Sequence, residues 1–71
     1  MRIHPQQNRI SWLMNEIQFA ETMVPRLIDR AETWLAAGNQ FMFEHCMTLT
    51  DELCSDLDKL RGELLHLVMS V

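Results

Sequence analysis

Tyrosine is absent from this chain, and glycine, proline and cysteine occur only twice each. So few turn formers and strand-favouring aromatics exclude an all-β fold, which needs turn residues at regular intervals. No uncharged apolar run approaches the ~18 residues of a membrane-spanning helix. Met1–Arg9 (MRIHPQQNR) lacks the apolar core of a secretory signal, so the expected compartment is the cytoplasm. Two cysteines are too few for a disulfide scaffold, and alongside six methionines they fit a reducing environment. Cations are scarce too, with six Lys/Arg against ten Asp/Glu and a net charge of −4. Phosphate binding needs clustered Lys/Arg, so neither nucleic acid nor a membrane is an expected partner.

What remains is a short, apolar chain of 71 residues, 48% of them hydrophobic, which is too apolar for intrinsic disorder. It reads as one domain spanning residues 1–71. Below ~70–80 residues a single core rarely supplies more than ~3–5 kcal/mol without a disulfide, a metal or association. With no staple in view, a partner or a second copy is expected.

Periodicity sets the architecture. Apolar residues step by three and four through Ile10, Leu13, Ile17, Ala20, Val24, Leu27, Ala31 and Trp34. A second series runs through Phe43, Cys46, Thr50, Leu53, Leu57, Leu60, Leu64, Leu67 and Val71, with Thr50 its only polar member. Both are a/d repeats, the mark of helices packed along a narrow seam. Between them Gly38 suits the left-handed position after a helix end, and Asn39 suits the N-cap of the next helix. The fold expected is all-α, an antiparallel two-helix hairpin with helices near 8–37 and 40–69. Equal arms place Trp12 opposite Leu67 and Phe19 opposite Leu60. Pro25 is discordant. It is expected to kink the first arm or to break it, leaving Met1–Val24 and Arg26–Ala37 as separate pieces. Met1–Gln7 is expected to fray, unless Pro5 opens the first helix.

The open end of the hairpin carries more apolar residues than its seam needs. With Ile10 at heptad position a, Trp12 and Phe19 fall at c and Met23 at g, while Met14, Ile28 and Leu35 fall at e. The stretch Leu64–Val71 is apolar nearly all round. Large contiguous apolar patches usually mark interfaces, so the expected partner-binding residues are Trp12, Phe19, Met23, Leu65, Val68 and Met69. Charge is lopsided as well: residues 1–38 sum to zero and residues 39–71 to −4. Glu44, Asp51 and Asp58 repeat every seven residues as an acidic ridge, readable as a solvated face or as a guide for a basic partner.

Constellations for chemistry are weak. Glu63-x-x-His66 has the spacing found in di-iron bundles, but such sites need two copies and further inward carboxylates. Glu44, His45 and Cys46 are adjacent and point apart on a helix. Cys46 and Cys54 lie two turns apart, too far to bond to each other. Cys46 reads as a small core residue and Cys54 as a thiol at the seam edge. Thr48-x-x-Asp51 and Ser55-x-x-Asp58 mimic helix starts, yet the heptads run through both. Neither an enzyme, a cofactor nor a metal is expected.

The first arm ends Leu27…Ala31…Leu35-Ala36-Ala37-Gly38, and Gln40-Phe41 opens a leucine-rich second arm. In these features, over roughly Phe19–Leu67, the chain resembles the YscE/EscE/SsaE-type co-chaperones of bacterial type III secretion. The resemblance implies a virulence-associated module that pairs with a helical-repeat chaperone and holds the needle subunit unpolymerised. A rival class resembles the homodimeric four-helix-bundle regulator Rop, through Thr50-Asp51-Glu52-Leu53, but helix one has no lysine and a balanced charge. A phage or plasmid inhibitor capping a host protein is a third reading.

The charge pattern yields a first prediction. At ~0.15 M salt the chain should bind RNA or DNA no more tightly than the ~10⁻⁴–10⁻⁶ M of non-specific contacts. Nanomolar, salt-sensitive RNA binding in a filter assay would restore the Rop-like reading.

Overall fold

A computed structural model describes residues 5–70, with side chains from Asn8 to Ser70. Two helices account for nearly all of it: α1 (Pro5–Ala36) and α2 (Gln40–Met69). The second helix has the bounds expected from its heptads. The first begins earlier, at Pro5, where proline's fixed φ favours a first turn and its missing N–H costs nothing. So Pro5–Gln7 are helical rather than frayed. Met1–His4 and Val71, which closes the second heptad series, lie outside the described residues.

The link between the helices is short because its residues serve twice. The N–H of Asn39 donates to the carbonyl of Trp34 (2.9 Å) and that of Gly38 to Leu35 (3.0 Å), which closes α1 with a Schellman motif. This requires φ of +77° at Gly38, a left-handed conformation that a Cβ disfavours. Asn39 then caps α2, its Oδ1 accepting from the N–H of Met42 at 3.0 Å. One asparagine thus ends one helix and starts the next.

The seam follows the heptads. Leu13, Ile17, Ala20, Ala31, Cys46, Thr50 and Leu57 are buried, and the remaining a and d residues are half-buried. Ile17, Ala20 and Leu57 form the centre, with Leu53, Leu60 and Leu64 packed against them. Leu57, rather than the Lys59 that equal arms would give, lies in this cluster with Ala20. The demand for an apolar a or d residue overrides symmetric counting. Thr50 is tolerated in the seam because its Oγ1 donates to the carbonyl of Cys46 at 2.8 Å. Thr48 back-bonds to Glu44 in the same way, so the two apparent helix starts are helix interior.

Pro25 neither starts nor ends a helix; α1 runs through it, which overturns a break between Val24 and Arg26. The missing N–H deprives the Glu21 carbonyl of its intrahelical donor. Pro25 and Glu21 are both exposed, so water can replace that bond. Val24 and Leu27, half-buried on either side, keep the seam in phase.

Two helices side by side make a rod of 54 × 22 × 12 Å. Its radius of gyration is 16.3 Å, against about 11 Å for a compact domain of this length. Ion pairs report the same alignment: Arg9 meets Glu63, both at g, and Arg61 meets Glu21, both at e. Like letters facing each other is the signature of an antiparallel pair.

Three substitutions test this account by thermal melting. Leu57→Ala empties the centre of the seam and should cost ~2–5 kcal/mol, enough to unfold most of an isolated hairpin. Gly38→Ala meets no atom within 4 Å, so its expected ~1–2 kcal/mol loss is purely a backbone effect. Gly62→Ala, in an open helical position, should instead stabilise by ~0.5–1 kcal/mol.

Candidate functional site

A two-helix seam divides the rest of the surface into two flanks. Positions e and b lie on one side of the a/d line and positions g and c on the other. The antiparallel pairing keeps these sets together across both helices, so each flank has its own chemistry.

On the g/c flank, Arg9 stacks over the ring of Trp12, with its Cζ 4.4 Å from the centroid. The same guanidinium donates to Glu63 Oε1 from Nη2 (2.6 Å) and Nε (2.9 Å). Both partners are about half exposed, so the pair is worth ~0–1 kcal/mol at most. Its effect is geometric: it fixes one face of the indole and leaves the other to solvent, with Trp12 45% exposed. Phe19 lies one heptad further along and is 64% exposed. Met23 is half-buried and lines a groove of about 340 Å³ with Leu27, Leu49 and Leu53, edged by Glu52 and Asp56. Arg26 and Arg30 border the same methionine. Among the described residues this flank carries, by heptad position, Arg9, Arg26, Arg30 and Lys59 against Glu16, Glu52, Asp56 and Glu63, a balanced set.

The e/b flank differs. Ile17, Leu64, Leu65 and Val68 line an open groove of about 430 Å³, closed at one side by Arg61. Arg61 Nη2 lies 3.6 Å from Glu21 Oε2, an exposed and weak pair. Leu65 and Val68 are more than half exposed, as is Met14 at an e position of α1, with Leu35 nearly so. The acidic ridge of Glu44, Asp51 and Asp58 runs along the b positions of α2, all three exposed.

The six expected interface residues are therefore not one patch. Trp12, Phe19 and Met23 share the g/c flank, Leu65 and Val68 the e/b flank, and Met69, 75% exposed at an f position, points away from the seam. All but Met23 are exposed. Exposed apolar residues also extend beyond the open end to Ile28, Leu35, Phe41 and Leu49, toward the turn. Phe41, 76% exposed, was legible as an outward f residue in the second heptad series.

Among the described residues no group of three or more His, Cys, Asp or Glu is placed to hold a metal ion. Glu63 is engaged by Arg9 rather than by His66. Both cysteines are free, Cys46 buried and Cys54 exposed. No described helix is long and apolar enough to cross a membrane. No family model matches the chain, and no curated protein or solved structure matches it either.

Because Trp12 and Phe19 stand outside the seam, Trp12→Ala and Phe19→Ala should leave the helical circular dichroism of the isolated chain close to that of the parent. A loss of helicity as large as that from Leu57→Ala would place these rings in the fold rather than on a binding surface.

Proposed function

We propose that this chain is a non-catalytic protein-binding module, in which a helical hairpin gains stability by docking on another helical protein. The carrying observation is unsatisfied apolar surface. The chain exposes 5637 Å², roughly 1,000 Å² more than a compact monomer of its mass. That excess is close to the ~800 Å² each partner buries in a standard interface. Among the described residues ten large apolar side chains are exposed, against six apolar residues buried in the seam.

The specific role we assign is that of a cytoplasmic co-chaperone holding a secretion subunit, such as a needle protein, or that subunit's helical-repeat chaperone. The hairpin geometry and the resemblance of Phe19–Leu67 to the YscE/EscE/SsaE type support this reading. Self-pairing into a four-helix bundle is the alternative. It is favoured by the balanced charge of the g/c flank, which a second copy can face without repulsion.

Affinity capture from the source cells, with the bound protein then co-expressed, tests the proposal. A defined helical partner should be recovered and its soluble yield should rise with the hairpin present. Truncating the exposed apolar residues of the flank that binds, Trp12→Ala with Phe19→Ala on one side or Leu65→Ala with Val68→Ala on the other, should weaken capture by ~2 kcal/mol or more. A light-scattering mass near the 8.4 kDa of one chain, a cooperative melt above ~65 °C and no captured protein would refute it.

A further inference from the structure

We propose that the e/b flank is the docking surface for a basic amphipathic helix of another protein. This rests on the reading of the chain as a protein-binding module and specifies which surface is used and by what chemistry.

Among the described residues the g/c flank is balanced, whereas the e/b flank carries Glu21, Glu32, Glu44, Asp51 and Asp58 against the single cation Arg61. Arg61 is already turned toward Glu21. Essentially the whole net charge of −4 thus lies on one side of a rod 22 Å across its middle dimension. An acidic face alone would be a solvated surface. Here, however, the same flank also carries an apolar groove at the open end, lined by Ile17, Leu64, Leu65 and Val68 with Arg61 as its one charged lining residue, and the exposed Asp58, Asp51 and Glu44 continue from it toward the turn along the α2 edge. Met14, Ile28 and Leu35 continue the apolar line at the e positions of α1, each exposed. Helices that face a bundle core are apolar at a, d and e, and both helices follow that pattern at their e positions on this side except at the paired Glu21 and Arg61 and at Gln40 near the turn.

The occupant must therefore offer an apolar stripe for the groove and the e-position line, and cations along the edge that meets the α2 acids. An amphipathic helix rich in Lys and Arg has both. A second copy lacks the second: packing this flank on itself brings Asp51 and Asp58 toward like charges and supplies one arginine per chain in return. Nucleic acid and anionic lipid are repelled for the same reason. Because the acids are exposed, their attraction is screened by salt, so they steer and select, while the groove holds.

The test uses the full chain and two labelled synthetic helices that share one leucine face. One carries lysines beside that face, the other glutamates. Anisotropy at ~0.05 M and ~0.5 M salt should show the lysine peptide binding at least about tenfold more tightly than the glutamate peptide, with the gap closing in high salt. Asp51→Lys/Asp58→Lys should cost the lysine peptide about tenfold and Leu65→Ala/Val68→Ala a comparable factor, while Trp12→Ala changes little. All four substituted acidic-flank sites are exposed, and circular dichroism checks that each variant remains helical. Equal binding of the two peptides, or loss through Trp12→Ala alone, would overturn the assignment. So would a two-chain scattering mass that falls to one chain in Leu65→Ala/Val68→Ala, which gives the flank to a second copy. The two readings fail separately. If the acidic-flank variants still capture the native partner and the aromatic variants do not, protein binding stands and this surface falls. If the parent chain captures no protein at all, protein binding falls as well.

Discussion

A pair of helices has one seam, and every other property of this molecule follows from that limit. Each helix buries the a and d residues that face its neighbour and leaves the remaining circumference to water or to another protein. Among the described residues seven are buried, and Leu13 is the largest side chain fully withdrawn from solvent. At ~25 cal/mol per Å² such a seam offsets only part of the ordering cost of some sixty helical residues. The apolar residues on the flanks are the surface through which a third and fourth helix would complete the packing.

Polar groups inside that narrow seam are managed locally. Thr50 returns its hydroxyl to its own helix, and no buried side-chain nitrogen or oxygen among the described residues lacks a partner. The turn is handled with equal economy, as Gly38 and Asn39 satisfy the end of one helix and the start of the next. Pro25 is the one element at odds with its surroundings. At ~3 kcal/mol in a helix interior its cost is comparable to the whole stability available to so small a core. That strengthens the physical case for a partner that restores the balance.

The hairpin was legible in the sequence because its signals are redundant. Two heptad series, a glycine and a capping asparagine each point to the same turn, and any one of them could be misread without changing the fold. Of the two outcomes expected at Pro25, a kink or a break, the break does not occur, because Val24 and Leu27, half-buried on either side, keep the seam in phase. The surface was read only in part. Trp12, Phe19, Leu65 and Val68 are identifiable in the sequence as apolar residues off the seam, but nearness along the rod does not make them one patch. Their heptad letters already separated c from b and e. The distinction becomes physical only when the antiparallel pairing, visible in Arg9–Glu63 and Arg61–Glu21, sets like letters side by side. Charge segregation between the flanks emerges at the same step, since the linear sequence shows only that the acids crowd the second half.

The rod shape has a consequence for how the molecule moves through solution. Friction depends on the longest dimension more than on volume, and at 54 Å this hairpin is drawn out well beyond a sphere of equal mass. It tumbles slowly for its size and passes through a porous matrix as a bulkier globule would. A lone hairpin therefore migrates where a compact dimer is expected, and only a shape-independent mass distinguishes one rod from two.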